Sequence, residues 1–114
     1  MVKFLIFTLL SITIMNKTYA ASNNLFFTAA QLLSYCKSNN LYEKGICDGY
    51  IIAVNDVIFS IDEKTTNICV PQNLSIKKIR QSVLSFIIDN AELMSVEANK
   101  VLGKFFINNF KCKN

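Results

Sequence analysis

The sequence predicts an all-α protein, a small bundle of about four helices held together by two disulfide bonds. Two observations lead to this prediction. Apolar residues recur at the 3.6-residue helical period in four separate segments. The chain also contains four cysteines, an even number in a short chain that carries the features of an exported protein.

The first twenty residues have the features of a secretory signal peptide. Lys3 supplies a positive charge, residues 4–15 form an apolar run, and Thr18 and Ala20 occupy the −3 and −1 positions of a cleavage site. We expect cleavage after Ala20, which leaves residues 21–114 as a single exported domain. A retained membrane anchor is the alternative, but the apolar run is shorter than the roughly 20 residues that cross a bilayer.

The exported part of the chain is only mildly basic. The whole sequence has a formal net charge of +4, and removing Lys3 and Lys17 lowers this to about +2. The densest basic cluster, made of Lys77, Lys78 and Arg80, is interpreted as a solvated helix face and not as a phosphate site. After signal cleavage, neither nucleic acid nor a membrane is an expected partner.

The first helix is predicted from Thr28, which can cap its N-terminus, to Lys37. Its apolar residues follow at the i, i+3, i+4 and i+7 positions: Ala29, Leu32, Leu33 and Cys36. Residues 38–40 have the composition of a turn. A second helix therefore follows closely, and the two helices form an antiparallel hairpin.

The second helix is apolar on most sides and is interpreted as the element around which the others pack. It begins between Tyr42 and Lys44, or nearer Ile46 because Gly45 weakens the first turns, and it ends at about Ile61. The broad apolar face consists of Cys47, Tyr50, Ile51, Val54, Val57, Ile58 and Ile61. On the other side of the helix lie the apolar residues Ile52 and Phe59. Beside them lies a second set, which we call the outer strip: Gly49, Ala53, Asp56 and Ser60. We expect the outer strip to pack closely against another helix, either within the fold or across a homodimer.

A charged segment without periodicity follows and is predicted to be an exposed loop: Asp62, Glu63, Lys64, Thr65, Thr66 and Asn67. The chain is then extended up to Pro71, because the residue before a proline avoids the helical region. Ser75 caps a third helix with the apolar face Ile76, Ile79, Val83, Phe86 and Ile87. After a break at residues 90–92, Ser95 caps a fourth helix that runs to about Phe110. Its apolar face is Ala98, Val101, Leu102, Phe105 and Phe106.

The four cysteines, Cys36, Cys47, Cys69 and Cys112, are interpreted as two disulfides. Zinc binding is disfavoured because the sequence has neither a CxxC pair nor a histidine. The helical hairpin favours pairing Cys36 with Cys47, which leaves Cys69 for Cys112. The alternative pairs Cys47 with Cys69 and requires the loop to double back along the second helix.

The composition offers little for catalysis or for a cofactor. Without histidine, the commonest general base is missing. Asp48 and Asp56 lie on the second helix, but their positions around the helix axis differ by about 80°, so they need not converge. Asp48 is interpreted as a favourable charge in the first helical turn, and Asp56 as either solvated or hydrogen-bonded to a neighbouring helix. The sequence therefore predicts no enzyme and no cofactor.

Several motifs occur in a characteristic order. LLSYC ends at Cys36, CDGYIIAVNDV begins at Cys47, NICVP ends at Pro71, and FKC ends at Cys112. The most specific part is the spacing of cysteine, Gly-Tyr and aspartate from Cys47 to Asp56. Together these motifs resemble the Rap/Tai family of immunity proteins of type VI secretion systems.

The resemblance implies a periplasmic immunity protein that binds and occludes a peptidoglycan amidase effector, generally as a homodimer, and so protects the producing cell from the toxin. Residues 62–67 are the expected effector-contacting segment. The sequence departs from the family at Ala53, where a second glycine is common, and at Ala91, where a proline usually precedes the glutamate. A small periplasmic stress protein or chaperone of the disulfide-stapled helical type is the first alternative, and an enzyme or a secreted effector is the second.

Overall fold

The computed structural model describes residues 26–113, so the predicted signal peptide lies outside the described residues. The elements are α1 (Ala29–Lys37), α2 (Leu41–Ser60), α3 (Glu63–Thr66), α4 (Ile76–Asp89), a 3₁₀ turn (Ala91–Leu93) and α5 (Ala98–Asn109). Extended pairing within the described part is limited to two isolated bridges. The predicted all-α bundle is confirmed, with α3 as one additional short turn. Across residues 26–113, no helix is both long and apolar enough to span a bilayer.

The start of α1 and the start of α2 are both fixed by side-chain caps. Thr28 accepts a hydrogen bond from the backbone N–H of Gln31, whose side chain accepts one from the Thr28 N–H in return. Asn40 Oδ1 accepts from the N–H groups of Tyr42 and Glu43. Such a cap is worth about 1 kcal/mol, which offsets the similar cost of Gly45. Helix α2 therefore begins at Leu41, earlier than the sequence predicts.

The most completely buried helix is α5, and α2, which contacts α1, α4 and α5, is less enclosed than the sequence predicts. Helix α5 buries five side chains: Ala98, Val101, Leu102, Phe105 and Phe106. Helix α2 buries only Cys47 and Ile51, whereas Val57 and Ile61 of its predicted core face are exposed. The helices also differ in length. At about 1.5 Å per residue, the 20 residues of α2 span about 30 Å, against about 14 Å for the nine residues of α1 and about 18 Å for the 12 of α5. Along the last turns of α2 only one side meets the bundle: Val54 and Ile58 pack on the core, whereas Val57, Phe59 and Ile61 are exposed.

Aromatic rings fill the space between α4, α5 and the chain after α5. Phe105 makes edge-to-face contacts with Phe86, Phe106 and Phe110, with ring centroids 5.7, 5.3 and 5.9 Å apart. Such pairs contribute about 0.5–1.5 kcal/mol each beyond the apolar area that they bury. This cluster fixes α4 and the end of α5 against one another.

A cross-helix ion pair joins α2 to α4. One guanidinium nitrogen of Arg80 lies 2.5 and 2.6 Å from the two carboxylate oxygens of Asp48, and both side chains are mostly buried. The prediction that Arg80 belongs to a solvated basic face is therefore wrong. Asp48 is also not in the first turn of its helix, because α2 begins seven residues before it. The pair satisfies two charges that would otherwise be costly to bury.

The cap of α4 is Ser75, as predicted, but the start of α5 differs from the prediction. Ser95 does not cap α5, which begins at Ala98 after the 3₁₀ turn. The N–H of Ala98 instead donates to the carbonyl of Phe27 at 2.7 Å. In the same region the N–H of Ala29 donates to the carbonyl of Val96 at 2.8 Å. The backbone just before α1 thus takes the place of a side-chain cap at the start of α5. Because the two segments are far apart in the sequence, the residues near Ala98 do not reveal this contact.

Two disulfides are formed, in the arrangement that the sequence favours. The core disulfide, Cys36–Cys47, joins α1 to α2 with a Cα–Cα distance of 5.0 Å. The tail disulfide, Cys69–Cys112, joins the segment before α4 to the end of the chain with a Cα–Cα distance of 4.9 Å. Their sequence separations of 11 and 43 residues correspond to about 2.8 and 4 kcal/mol in the loop-entropy estimate.

Substitutions at two adjacent residues of α5 test whether this helix forms the core. Replacing the fully buried Phe106 by Ala is expected to lower the free energy of unfolding by about 3–5 kcal/mol, because it leaves a cavity beside Phe105. The matched control is Ile107→Ala, which removes an exposed side chain from the same helix. Chemical denaturation of both variants measures the difference. Equal losses in the two variants would contradict the assignment of α5 as the core helix.

Candidate partner-binding surface

The distal part of α2, residues 52–61, carries large apolar side chains that no other element covers. Its exposed apolar residues range from 42% to 61% exposed: Ile52, Val57, Phe59 and Ile61. A helix that is apolar on most sides is normally buried. Ile52 and Phe59 lie on one side of the outer strip, and Val57 and Ile61 lie on the other. Large exposed apolar side chains in this number indicate an interaction site.

The outer strip of α2 does not contact another helix of the same chain. All four of its residues, Gly49, Ala53, Asp56 and Ser60, are exposed. A Cβ atom placed on Gly49 would meet nothing within 4 Å. The expectation that the strip packs within the fold is therefore wrong, because the neighbouring helices lie on the other side of α2. Asp56 is correspondingly at the surface, and packing across a homodimer stays a prediction.

An apolar groove separates α2 from α5 beside the outer strip. It has a volume of about 490 Å³ and is lined by Phe26, Tyr50, Ala53, Val54, Val57, Ile58, Asn99 and Gly103. Tyr50 stacks on Phe27 with ring centroids 5.4 Å apart, and this contact holds the Tyr50 ring in position beside the groove. Burial raises the pKa of Tyr50 above its usual value, and hydrogen bonding from the Asn99 backbone offsets part of that rise. The phenol is therefore neutral at physiological pH, and the groove suits apolar side chains.

Residues 62–67, which the sequence predicts to be a loop, form one turn of helix. Asp62 Oδ1 accepts a hydrogen bond from the N–H of Lys64 at 3.0 Å. Asn67 adopts the left-handed conformation with φ 53°, and its N–H donates to the carbonyl of Glu63 at 2.6 Å. An aspartate and an asparagine at these positions are recognisable N-terminal and C-terminal caps, so the sequence did contain the signal. We call residues 62–67 the α3 segment.

The α3 segment continues directly from the distal part of α2 and is mostly exposed. Thr66 is half-buried, and the other five residues are at the surface: Asp62, Glu63, Lys64, Thr65 and Asn67. The charged turn therefore follows the exposed apolar side chains of α2 directly along the chain. Apolar residues beside charged ones are common at protein interfaces.

The end of the chain holds the α3 segment in place, a role that the motif analysis does not assign to it. The N–H of Cys112 donates to the carbonyl of Asn67 at 3.1 Å, and the N–H of Cys69 donates to the carbonyl of Phe110 at 2.7 Å. An isolated bridge pairs Ile68 with Lys111 between these two bonds. Together with the tail disulfide, these contacts fix the base of the α3 segment to the bundle.

The reactive side chains of the surface are already engaged. Glu63, Cys69 and Cys112 bring three potential metal-ligand atoms within 4.8 Å of one another, but both sulfurs belong to the tail disulfide. Thiolate, the form of cysteine that binds metal, is therefore not present in this oxidised state. All four cysteines are in disulfides, and the Asp48 carboxylate is bound by Arg80. The arrangement suits binding by shape and charge.

The comparison with family models gives one match. The model of the Rap1a immunity proteins matches residues 28–112, from the residue that caps α1 to the last cysteine of the tail disulfide. No curated protein and no solved structure matches the chain. The matched range covers every helix of the described bundle, and it confirms the resemblance noted from the motifs. The chain therefore belongs to the family of Rap1a immunity proteins.

Proposed function

We propose that this protein is a periplasmic immunity protein that binds a type VI secretion peptidoglycan amidase and occludes its active site. Membership of the Rap1a immunity proteins supports the immunity role. The two disulfides suit an oxidising compartment such as the periplasm. In this proposal residues 1–20 are the cleaved signal peptide, and residues 21–114 are the domain that meets the toxin.

The observation that carries the proposal is the exposed apolar end of α2, continued by the charged α3 segment. An inhibitor that blocks a cleft needs a rigid projection, because loop ordering on binding subtracts from affinity. The distal part of α2 carries exposed apolar side chains on a regular helix, and the tail disulfide anchors the α3 segment at its base. This surface therefore meets the physical requirements for steric occlusion.

The outer strip of α2 is proposed as the contact between two copies of the chain. Gly49, Ala53 and Ser60 are small, so the backbone of a second helix can approach closely along this side. The neighbouring Ile52 and Phe59 are exposed and apolar, and would be buried by the same contact. Ala53 replaces the glycine common in the family, but its methyl group is small enough to keep the approach close.

The function is tested by binding and by protection. The exported protein is expected to co-purify with the amidase effector encoded beside its gene and to rescue growth of cells in which that effector is directed to the periplasm. A chain with Val57 and Ile61 both replaced by Asp is expected to lose both properties, because charge would enter the apolar surface. Absence of binding and of protection by the unaltered protein would overturn the proposal.

The α3 segment is tested by a charge exchange that keeps the net charge constant. The variant with Glu63→Lys and Lys64→Glu is expected to bind the effector at least tenfold more weakly, because it reverses the charge pattern at the edge of the surface. The matched control exchanges Lys77→Asp and Asp89→Lys on the exposed face of α4. Titration calorimetry with circular dichroism separates binding from folding. Unchanged affinity in the first variant would remove the α3 segment from the interface.

The dimer contact is tested with Ala53→Arg. Because Ala53 is exposed in the single chain, this change is expected to leave the unfolding temperature nearly unchanged while preventing close approach of a second α2. Sedimentation analysis should then show a dimer for the unaltered protein and a monomer for the variant. Gln81→Arg on the exposed face of α4 is the control. A dimer that survives Ala53→Arg would place the contact elsewhere.

A further inference from the structure

The two disulfides differ in their access to solvent. Cys36 and Cys47 of the core disulfide are 3% and 0% exposed, inside the hairpin of α1 and α2. Cys69 and Cys112 of the tail disulfide are half-buried and line a surface depression of about 400 Å³. Thiol–disulfide exchange requires a thiolate to reach one sulfur atom. The tail disulfide meets this requirement in the folded chain, whereas the core disulfide requires unfolding.

The charges around the tail disulfide distinguish its two sulfur atoms. Glu63 Oε2 lies 3.6 Å from Sγ of Cys69, so a thiolate on Cys69 would stand beside a carboxylate. Cys112 lies between Lys111 and Lys113, and Lys64 and Lys113 line the same depression. Positive charge stabilises a thiolate, and the sulfur that is the better leaving group departs as thiolate. Cys112 is therefore the leaving sulfur, and Cys69 is the sulfur that is attacked.

We propose that the tail disulfide is a thiol–disulfide exchange site for a dithiol oxidoreductase, and that its opening weakens the effector-binding surface. The second half of this statement rests on the proposed function, but the first does not. The partner is defined by its chemistry: a protein with two thiols, one of which is present as thiolate at neutral pH.

The exchange has two balanced steps. The partner's thiolate attacks Sγ of Cys69, the bond to Cys112 breaks, and the Cys112 sulfur leaves with the electron pair and takes up a proton from water. The partner's second thiol loses its proton and attacks the partner's own sulfur in the mixed disulfide, which releases Cys69 as a thiolate that is then protonated. The partner is oxidised to a disulfide, and the tail disulfide is reduced to two thiols.

Opening of the tail disulfide leaves the α3 segment with a weaker anchor. The backbone hydrogen bonds from Cys69 to Phe110 and from Cys112 to Asn67 remain, but they join partly exposed segments that the disulfide no longer holds together. The core disulfide and the burial of α5 are untouched. Reduction therefore loosens the α3 segment while the bundle stays folded, and binding then has to order the segment again.

Differential alkylation tests the exchange site without an effector. The oxidised, exported protein is treated with dithiothreitol in native buffer, quenched with iodoacetamide at intervals and analysed by peptide mass spectrometry. Cys69 and Cys112 are expected to be alkylated at least tenfold faster than Cys36 and Cys47. Equal rates for the two pairs, or alkylation only under denaturing conditions, would overturn the proposal.

The direction of attack is tested by trapping. A dithiol oxidoreductase whose second cysteine is replaced by serine should form a mixed disulfide with Cys69, and recovery of the adduct on Cys112 would reverse the assignment. Glu63→Gln is expected to speed opening severalfold, because it removes the carboxylate beside Cys69. Glu92→Gln, an exposed change away from the depression, is the matched control and should leave the rate unchanged.

The effect on binding is tested with the selectively reduced protein, alkylated at Cys69 and Cys112, and with the variant in which both are replaced by Ser. Both are expected to bind the effector about tenfold more weakly than the oxidised protein while the helical circular dichroism is retained. Equal affinity would overturn the link between exchange and binding. If the oxidised protein itself fails to bind, the proposed function falls, whereas the alkylation and trapping results still decide whether the exchange site exists.

Discussion

Burial of α5 is the interaction on which the rest of the structure depends. Its apolar side chains contact α1, α2 and α4 at once, and Phe105 and Phe106 are the largest side chains that are fully enclosed. In a domain of this size, the burial of one apolar core exceeds the conformational entropy cost of folding by only a small margin. The two disulfides add restraints at the hairpin of α1 and α2 and at the segment that contains Cys112.

The same constraint explains where the candidate surface lies. Helix α2 turns only one side toward the bundle, so Ile51 is buried and Val54 and Ile58 are partly covered. Ile52 and Val57 lie on other sides of the same helix and stay exposed. In the proposed function these exposed side chains supply the effector contact, and occlusion of an enzyme would require such a surface and no catalytic group.

Features determined by neighbouring residues were predictable from the sequence, and features determined by distant contacts were not. Thr28 and Ser75 were identified as caps because a cap needs only the next turn of chain. Ser95 was misassigned because the chain before α1 satisfies the start of α5, and Arg80 was misassigned because its partner lies 32 residues away. The α3 segment was located correctly as an exposed charged segment, but its helical turn was missed. The exposure of the outer strip depends on which side of α2 the neighbouring helices occupy, and the periodicity along α2 does not reveal this.

The separation of the candidate surface from the core has a consequence for how such a protein can evolve. The exposed side chains of the distal part of α2, Ile52, Val57, Phe59 and Ile61, contribute little to the enclosed core, so exchanging them changes shape and charge at small cost in folding free energy. In the proposed complex, a toxin that alters its cleft could be followed by substitutions confined to these residues and to the exposed residues of the α3 segment. The bundle beneath them, fixed by α5 and the core disulfide, need not change. One stable scaffold can in this way support a series of different specificities.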